Sequence, residues 1–122
     1  MYKVSVVIPN FNGEQYIDEC MTALRKQTEK DFEVILVDNA SEDDSVAVFE
    51  SYGDMNISTI LLDENYGFSR AVNEGIKASA AEYVILLNND THVGKRFVQA
   101  LVEAMEEDDN IFSAQAHMLQ YS

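Results

Sequence analysis

Val-Ser-Val-Val-Ile-Pro-Asn-Phe-Asn-Gly, residues 4 to 13, passes from an almost unbroken apolar run into a polar turn, and the same transition recurs twice further on. Val-Ile-Leu-Val-Asp-Asn-Ala-Ser covers 34 to 41, and Tyr-Val-Ile-Leu-Leu-Asn-Asn-Asp-Thr covers 83 to 91. Runs that are apolar at nearly every position, rather than at alternate ones, suit parallel strands buried on both faces. In an open parallel sheet, ligands sit in the crevice outside the carboxyl ends of the strands. Asn10, Asn12, Asp38, Asn88 and Asp90 are therefore expected to share one rim.

Outward from these three stretches, apolar runs alternate with helical ones in the order βαβαβαβα, followed by a further strand. The patterns predict strands near 3 to 8, 33 to 37, 58 to 62 and 83 to 87, with a weaker one near 111 to 115. The first helix is expected over about 14 to 26. The second is expected over about 43 to 52, capped at Ser41 with acidic residues in its first turn. The third starts at Ser69, with Ala71, Val72, Gly75, Ile76 and Ser79 on the face turned to the sheet; the fourth runs from Lys95 to Glu107. Cys20, with Tyr16, Ile17, Met21 and Leu24 on one face of the first helix, reads as a small buried hydrophobe and not a nucleophile. The acidic run 106 to 109 opposes the helix dipole and reads as a solvated turn.

The 122 residues suit one domain, and no repeat or linker divides them. Eight Lys and Arg against 22 Asp and Glu give a formal net charge of -14, which repels nucleic acid and anionic membrane surfaces. No apolar run approaches the roughly 20 residues of a spanning helix, and the first residues lack the pattern of a signal peptide. With a single cysteine, no internal disulfide can form. A cytoplasmic, reducing location is the expectation. A strand near residue 115 would leave a sheet edge open, so either further chain or a homodimer through that edge is expected to cover it.

The rim residues then carry the chemistry. Asp90 follows a buried strand by two asparagines and can anchor a hard cation, since magnesium and manganese take one or two carboxylates plus water and phosphate oxygens. Capping of the following turn is its structural alternative; metal binding is favoured because two further polar strand ends converge there. His92 is a second candidate ligand. Asp38 can accept a hydrogen bond from a nucleobase imide or a ribose, or can serve an Asx turn. Phe11 either stacks on a base or packs on the first helix. Arg70 lies in the glycine-containing loop that opens the third helix, where free backbone amides favour phosphate. No Gly-x-Gly-x-x-Gly and no Gly-Lys-Ser/Thr follows the first strand, which argues against a nicotinamide cofactor and a P-loop. Unit charges about 4 Å apart at an effective dielectric near 20 interact by about 4 kcal/mol, so a bare diphosphate beside Asp90 would be repelled and a bridging divalent cation reverses the sign.

Taken together, these motifs resemble the nucleotide-binding half of a family 2 glycosyltransferase with the GT-A fold. Residues 4 to 13 look like its opening strand and loop, Val-Asp-Asn-Ala-Ser-Glu-Asp-Asp-Ser (37 to 45) like its second, and Asn-Tyr-Gly-Phe-Ser-Arg-Ala-Val-Asn-Glu-Gly (65 to 75) like its third. Leu-Leu-Asn-Asn-Asp-Thr (86 to 91) stands where the family has its Asp-x-Asp metal motif, in a form similar to rhamnosyltransferase-like members. The resemblance implies a Rossmann-like, mostly parallel sheet between helices, truncated relative to the family, with residues 1 to 122 as the nucleotide-sugar-binding part. It implies a nucleotide site of Pro9, Asn10, Phe11, Asn12, Asp38, Asn39, Arg70, Asn88 and Asn89, and a Mg2+ or Mn2+ ion held by Asp90. Asn88 replaces the first aspartate of the usual motif and adds no charge to the cation site.

The implied activity is metal-assisted, inverting transfer of a sugar from a nucleotide-diphospho-sugar to an acceptor hydroxyl in polysaccharide or glycan synthesis. The general base is expected after Ser122, so the 122 residues alone are expected to be inactive. Peripheral membrane association through a later segment is a further expectation. Two competing readings are a non-catalytic nucleotide-binding module and a response-regulator receiver; against the latter, Pro9 and Asn10 stand where its acidic pair belongs.

Overall fold

A computed structural model describes residues 2–91 and 93–107, with the backbone alone of 113–115. The elements are β1 (Val4–Asn10), α1 (Glu14–Arg25), β2 (Phe32–Asp38), α2 (Ser45–Glu50), β3 (Ile57–Leu61), α3 (Phe68–Ala78), β4 (Tyr83–Leu86), α4 (Phe97–Glu107) and β5 (Ser113–Gln115). All five strands form one sheet in the order β3-β2-β1-β4-β5, and every pairing is parallel. That order belongs to the Rossmann type. Receivers follow the other doubly wound order, 2-1-3-4-5, so the topology excludes the receiver reading.

Period-2 alternation explains the two layers. Val4, Val6 and Ile8 of β1 join Val34 and Leu36 of β2 in a core shared with α1, α2 and α4, through Ile17, Met21, Leu24, Phe49, Val98 and Met105. The intervening Val7, Ile35 and Val37 form a smaller core with Ala71 of α3 on the opposite face. Cys20 lies in the larger core, and burial pushes its thiol up to about 12, so it stays protonated as expected of a packing residue. Tyr16, expected on the same face, is exposed instead.

Gly75 lets α3 approach the sheet closely. A Cβ there would collide with Val7 Cγ1 and come within 3.2 Å of Val37 Cγ2. Ala71 and Val72 pack beside it as expected, whereas Ile76 is exposed and Ser79 ends the helix, its hydroxyl 2.6 Å from that of Ser5. Gly75→Ala is expected to cost about 1–3 kcal/mol in unfolding free energy, because neither valine can retreat from a central strand. Urea titration measures it, and an unchanged midpoint would contradict this packing.

Pro9 sits within β1, a central strand, one position beyond its expected end. The backbone explains why proline is tolerated. Val7 O accepts from Leu87 N on the β4 side, and pairing with β4 ends at Val7 and Leu86. Two residues later the same edge of β1 has no ladder partner, so a missing amide hydrogen costs nothing.

The second helix differs from expectation. It begins at Ser45, has no acidic residue in its first turn, and Ser41 does not cap it. Asp43 instead accepts from Ser45 N at 3.0 Å and, through its other oxygen, from Glu14 N at 3.0 Å, tying the starts of α1 and α2 together. Burial pushes the Asp43 carboxyl up, but these bonds and the one from the Ser45 hydroxyl outweigh it and hold the group below the usual carboxylate value. Of the acidic run 106 to 109, Glu106 lies at the end of α4 and pairs with Lys3 at 3.3 Å; 108 and 109 lie outside the described residues. No helix among the described residues is long and apolar enough to cross a membrane.

Candidate functional site

β1 and β2 end in register, with Asn10 opposite Asp38. Asn10 is 2% exposed and is the junction of the site. Its amide nitrogen donates to Asp38 Oδ1 at 2.8 Å and to Ser45 Oγ at 2.9 Å, with Ser41 Oγ at 3.3 Å. Its carbonyl oxygen accepts from Asn89 Nδ2 at 2.6 Å, which brings in the turn after β4. Three strand ends therefore meet through one buried side chain. Gly13 makes room for that junction, since a Cβ there would strike Asn89 Nδ2 and Asn10 Oδ1.

Asp38 is 3% exposed, behind Asn10. Its Oδ1 also accepts from Ser41 Oγ at 2.6 Å and its Oδ2 from Ser41 N at 2.9 Å. Ser41 thus braces a buried carboxylate, which is why it is not free to cap α2. The turn that permits this carries Ala40 at φ 60°, a left-handed conformation. Asn39 is likewise buried. Its Nδ2 donates to Gly67 O and its Oδ1 accepts from Tyr66 N, both at 3.3 Å, clamping the loop that leads into α3.

A cavity of about 310 Å³ opens over the ends of β1 and β4, lined by Pro9, Asn10, Phe11, Asn39, Phe68, Asn88, Asn89 and Asp90. Asn10, Asn88 and Asp90 were expected on the rim, and Pro9, Phe11, Asn39 and Asn89 in the site that the resemblance implies; Asp38, also expected on the rim, is buried and is not among the lining residues, because Asn10 and Ser41 hold its carboxylate inside. Phe11 lies 48% exposed in the cavity lining and belongs to neither hydrophobic core. Asn12 faces a neighbouring depression with Glu14, Gln15 and Asp43; in a left-handed conformation at φ 50°, it accepts from Glu42 N at 2.8 Å. Arg70 does not line the cavity. Its guanidinium lies over the Tyr66 ring, 4.6 Å from the centroid, and 3.8 Å from Glu74. His92 lies outside the described residues.

Sequence reasoning missed Phe68, Ser41, Ser45 and Gly13. The first and last had readable signals: an aromatic directly after the loop glycine, and a glycine ending the first polar turn. Ser41 had one in the Asx turn offered for Asp38, whose carboxylate it braces from three positions away; the role of Ser45 had none, because it depends on a partner some 35 positions away.

Chemically, the cavity is lined by the apolar side chains of Pro9, Phe11 and Phe68, by the amides of Asn10, Asn39, Asn88 and Asn89, and by Asp90. Asp90 is its one lining carboxylate and is exposed. Among the described residues, no group of three or more His, Cys, Asp or Glu converges as a self-sufficient metal cage. One carboxylate beside amide oxygens fits a hard cation that takes most of its ligands from water and phosphate, and does not fit zinc.

Residues 5–120 match the family model described as Glycosyl transferase family 2. The uncharacterized glycosyltransferase EpsJ of Bacillus subtilis (strain 168) is 34% identical over 106 residues, covering 86% of this chain and 31% of its own length. The poly(ribitol-phosphate) beta-N-acetylglucosaminyltransferase TarS of Staphylococcus aureus (strain Mu50 / ATCC 700699) is 30% identical over 111 residues, 88% of this chain and 19% of its own. The crystal structure of S. aureus TarS 1-349 in complex with UDP-GlcNAc aligns with a TM-score of 0.82 at 29% identity, covering 88% of this chain and 32% of that one. The mannosyltransferase PcManGT from Pyrobaculum calidifontis in complex with GDP-Man and Mn2+ aligns with a TM-score of 0.72 at 26% identity, over 80% of this chain and 30% of that one. The chain thus spans about a third or less of the length of these proteins.

Proposed function

The chain belongs to glycosyl transferase family 2, and on that footing we propose that residues 1 to 122 are the donor-binding part of a glycosyltransferase that takes its sugar from a nucleotide-diphospho-sugar. The observation that carries this reading is the Asn10 junction, which draws the ends of β1, β2 and β4 around one cavity lined by aromatic rings, amides and one carboxylate. A nucleoside diphosphate has the matching groups, a flat apolar base at one end and anionic oxygens at the other. TarS in complex with UDP-GlcNAc supports a uridine diphosphate donor as the first to test.

In this reading Asp90, with the amides of Asn88 and Asn89, would hold a magnesium or manganese ion. The bound ion supplies positive charge against the departing diphosphate. Asn10 keeps Asn89 and Asp38 in fixed orientation, so little rearrangement is needed when the donor arrives. Asp38 contributes from behind the cavity, by holding the Asn10 amide in place. Inverting transfer needs a separate carboxylate to take the acceptor proton. The one lining carboxylate is already committed, so no residue of this cavity is assigned that part and the chain alone is expected to be inactive. A cytoplasmic location, a role in polysaccharide synthesis, membrane contact through a later segment and pairing of copies through a sheet edge belong to the same proposal and rest on the sequence alone.

Calorimetry with uridine, thymidine and guanosine diphosphates, each with and without manganese, tests the reading. Binding of at least one, strengthened by manganese, is expected; silence from all three would end it. A radiolabelled-sugar transfer assay is expected to give no turnover with this chain. Robust turnover would overturn the claim of inactivity and leave the donor site standing.

A further inference from the structure

We propose that Phe68 is a second aromatic contact for the nucleoside end of the donor, opposing Phe11 across the crevice; this rests on the donor-binding reading above. Phe68 is 54% exposed, opens α3, and belongs to neither hydrophobic core, yet it lines the same cavity as Phe11. The two rings arrive from different sides. Phe11 lies on the path from β1 to α1, and α1 packs on one face of the sheet while α3 packs on the other. An aromatic ring held half in water forgoes burial that a stacked planar group restores, and every base has a face on which to stack.

The position of Phe68 is built into the fold. Gly67, at φ 91°, turns the chain immediately before it, and both ends of the Asn39 amide hold residues 66 and 67. Asn39 follows β2, whereas Asn88, Asn89 and Asp90 follow β4, on the far side of β1. Phe68 is therefore on the β2 side of the cavity and the acidic end is the β4 side, with Phe11 at the end of β1 between them. A cation-bridged diphosphate belongs at the acidic end, which leaves the base or its ribose for the rings.

The test compares the unaltered chain with Phe68→Ala, Phe11→Ala and Phe68→Trp, using uridine diphosphate and inorganic pyrophosphate, each with manganese. Phe68→Ala is expected to weaken uridine diphosphate about tenfold and to leave pyrophosphate within twofold, since stacking acts on the base alone. The chain has no tryptophan, so Phe68→Trp introduces a single reporter. Its fluorescence is expected to change with uridine diphosphate and not with pyrophosphate. If Phe11→Ala weakens binding while Phe68→Ala stays within twofold, or if Phe68→Trp responds equally to both probes, the role of Phe68 is overturned and the donor site survives. If the unaltered chain binds neither probe, both fall. Melting curves serve as the folding control, because an exposed ring outside both cores is not needed for stability.

Discussion

Asp90→Ala is expected to reduce the manganese-dependent gain in nucleoside diphosphate affinity by at least about a hundredfold, and to leave metal-free affinity unchanged or slightly improved. The two directions follow from one charge. Asp90 is the one carboxylate among the cavity-lining residues, so its loss leaves only neutral amides to hold a divalent ion. Without the ion, the same carboxylate repels the diphosphate, but Asp90 is exposed and water screens that repulsion, so its removal gains little. A chain of net charge -14 deepens the contrast. Asp90→Asn, which keeps the shape, is expected to behave like alanine. Because Asp90 is exposed and outside the cores, melting should not move. Titrations with and without manganese decide the matter, and an intact manganese response in Asp90→Ala would remove this residue from the metal site.

Asn10→Ala is expected to cost about 2–4 kcal/mol of unfolding free energy and to abolish donor binding. Truncation withdraws the donor that Asp38 Oδ1 receives at 2.8 Å in the buried interior, and the acceptor that Asn89 Nδ2 uses at 2.6 Å at the half-buried floor of the cavity. The carboxylate of Asp38 keeps its bonds from Ser41 and loses its link to the other strand end. Asn10→Asp is the sharper variant. It preserves volume and sets a second carboxylate within hydrogen-bonding distance of Asp38, and two such groups must share a proton. One carboxyl of the pair then has its folded-state pKa raised above the unfolded value. Its stability contribution is present at low pH and lost as pH rises through that raised value, so Asn10→Asp is expected to recover part of its stability on acidification. Denaturant unfolding over a pH series measures both variants; a loss under about 0.5 kcal/mol for Asn10→Ala would show that the junction holds nothing together.

Most of the architecture was legible because its signals are local. Every expected strand and helix exists, and boundaries moved by a few residues where side chains found distant partners. Ser41 and Asp43 look in sequence like the cap and acidic first turn of α2; Ser41 is drawn to Asp38, and Asp43 to Ser45 and Glu14. Arg70 looks like a phosphate cation at the opening of a helix, but Tyr66 and Glu74 occupy it on the outer surface. Phe68 went unnoticed because its one local signal, an aromatic directly after the loop glycine, does not by itself separate a ring that faces a crevice from one that faces the core.

The apolar runs by themselves determined the alternation of strands and helices, the burial of both sheet faces and the clustering of polar residues at strand ends. Periods of 2 and 3.6 are properties of neighbouring residues, and each can be read within one element. Strand order is not such a property. Only when β1 lies between β2 and β4 do Asn10 and Asp38, 28 positions apart, and Asn10 and Asn89, 79 apart, come within hydrogen-bonding distance. Which side chains became the junction, which became the lining and which were left on the surface was decided by that spatial order.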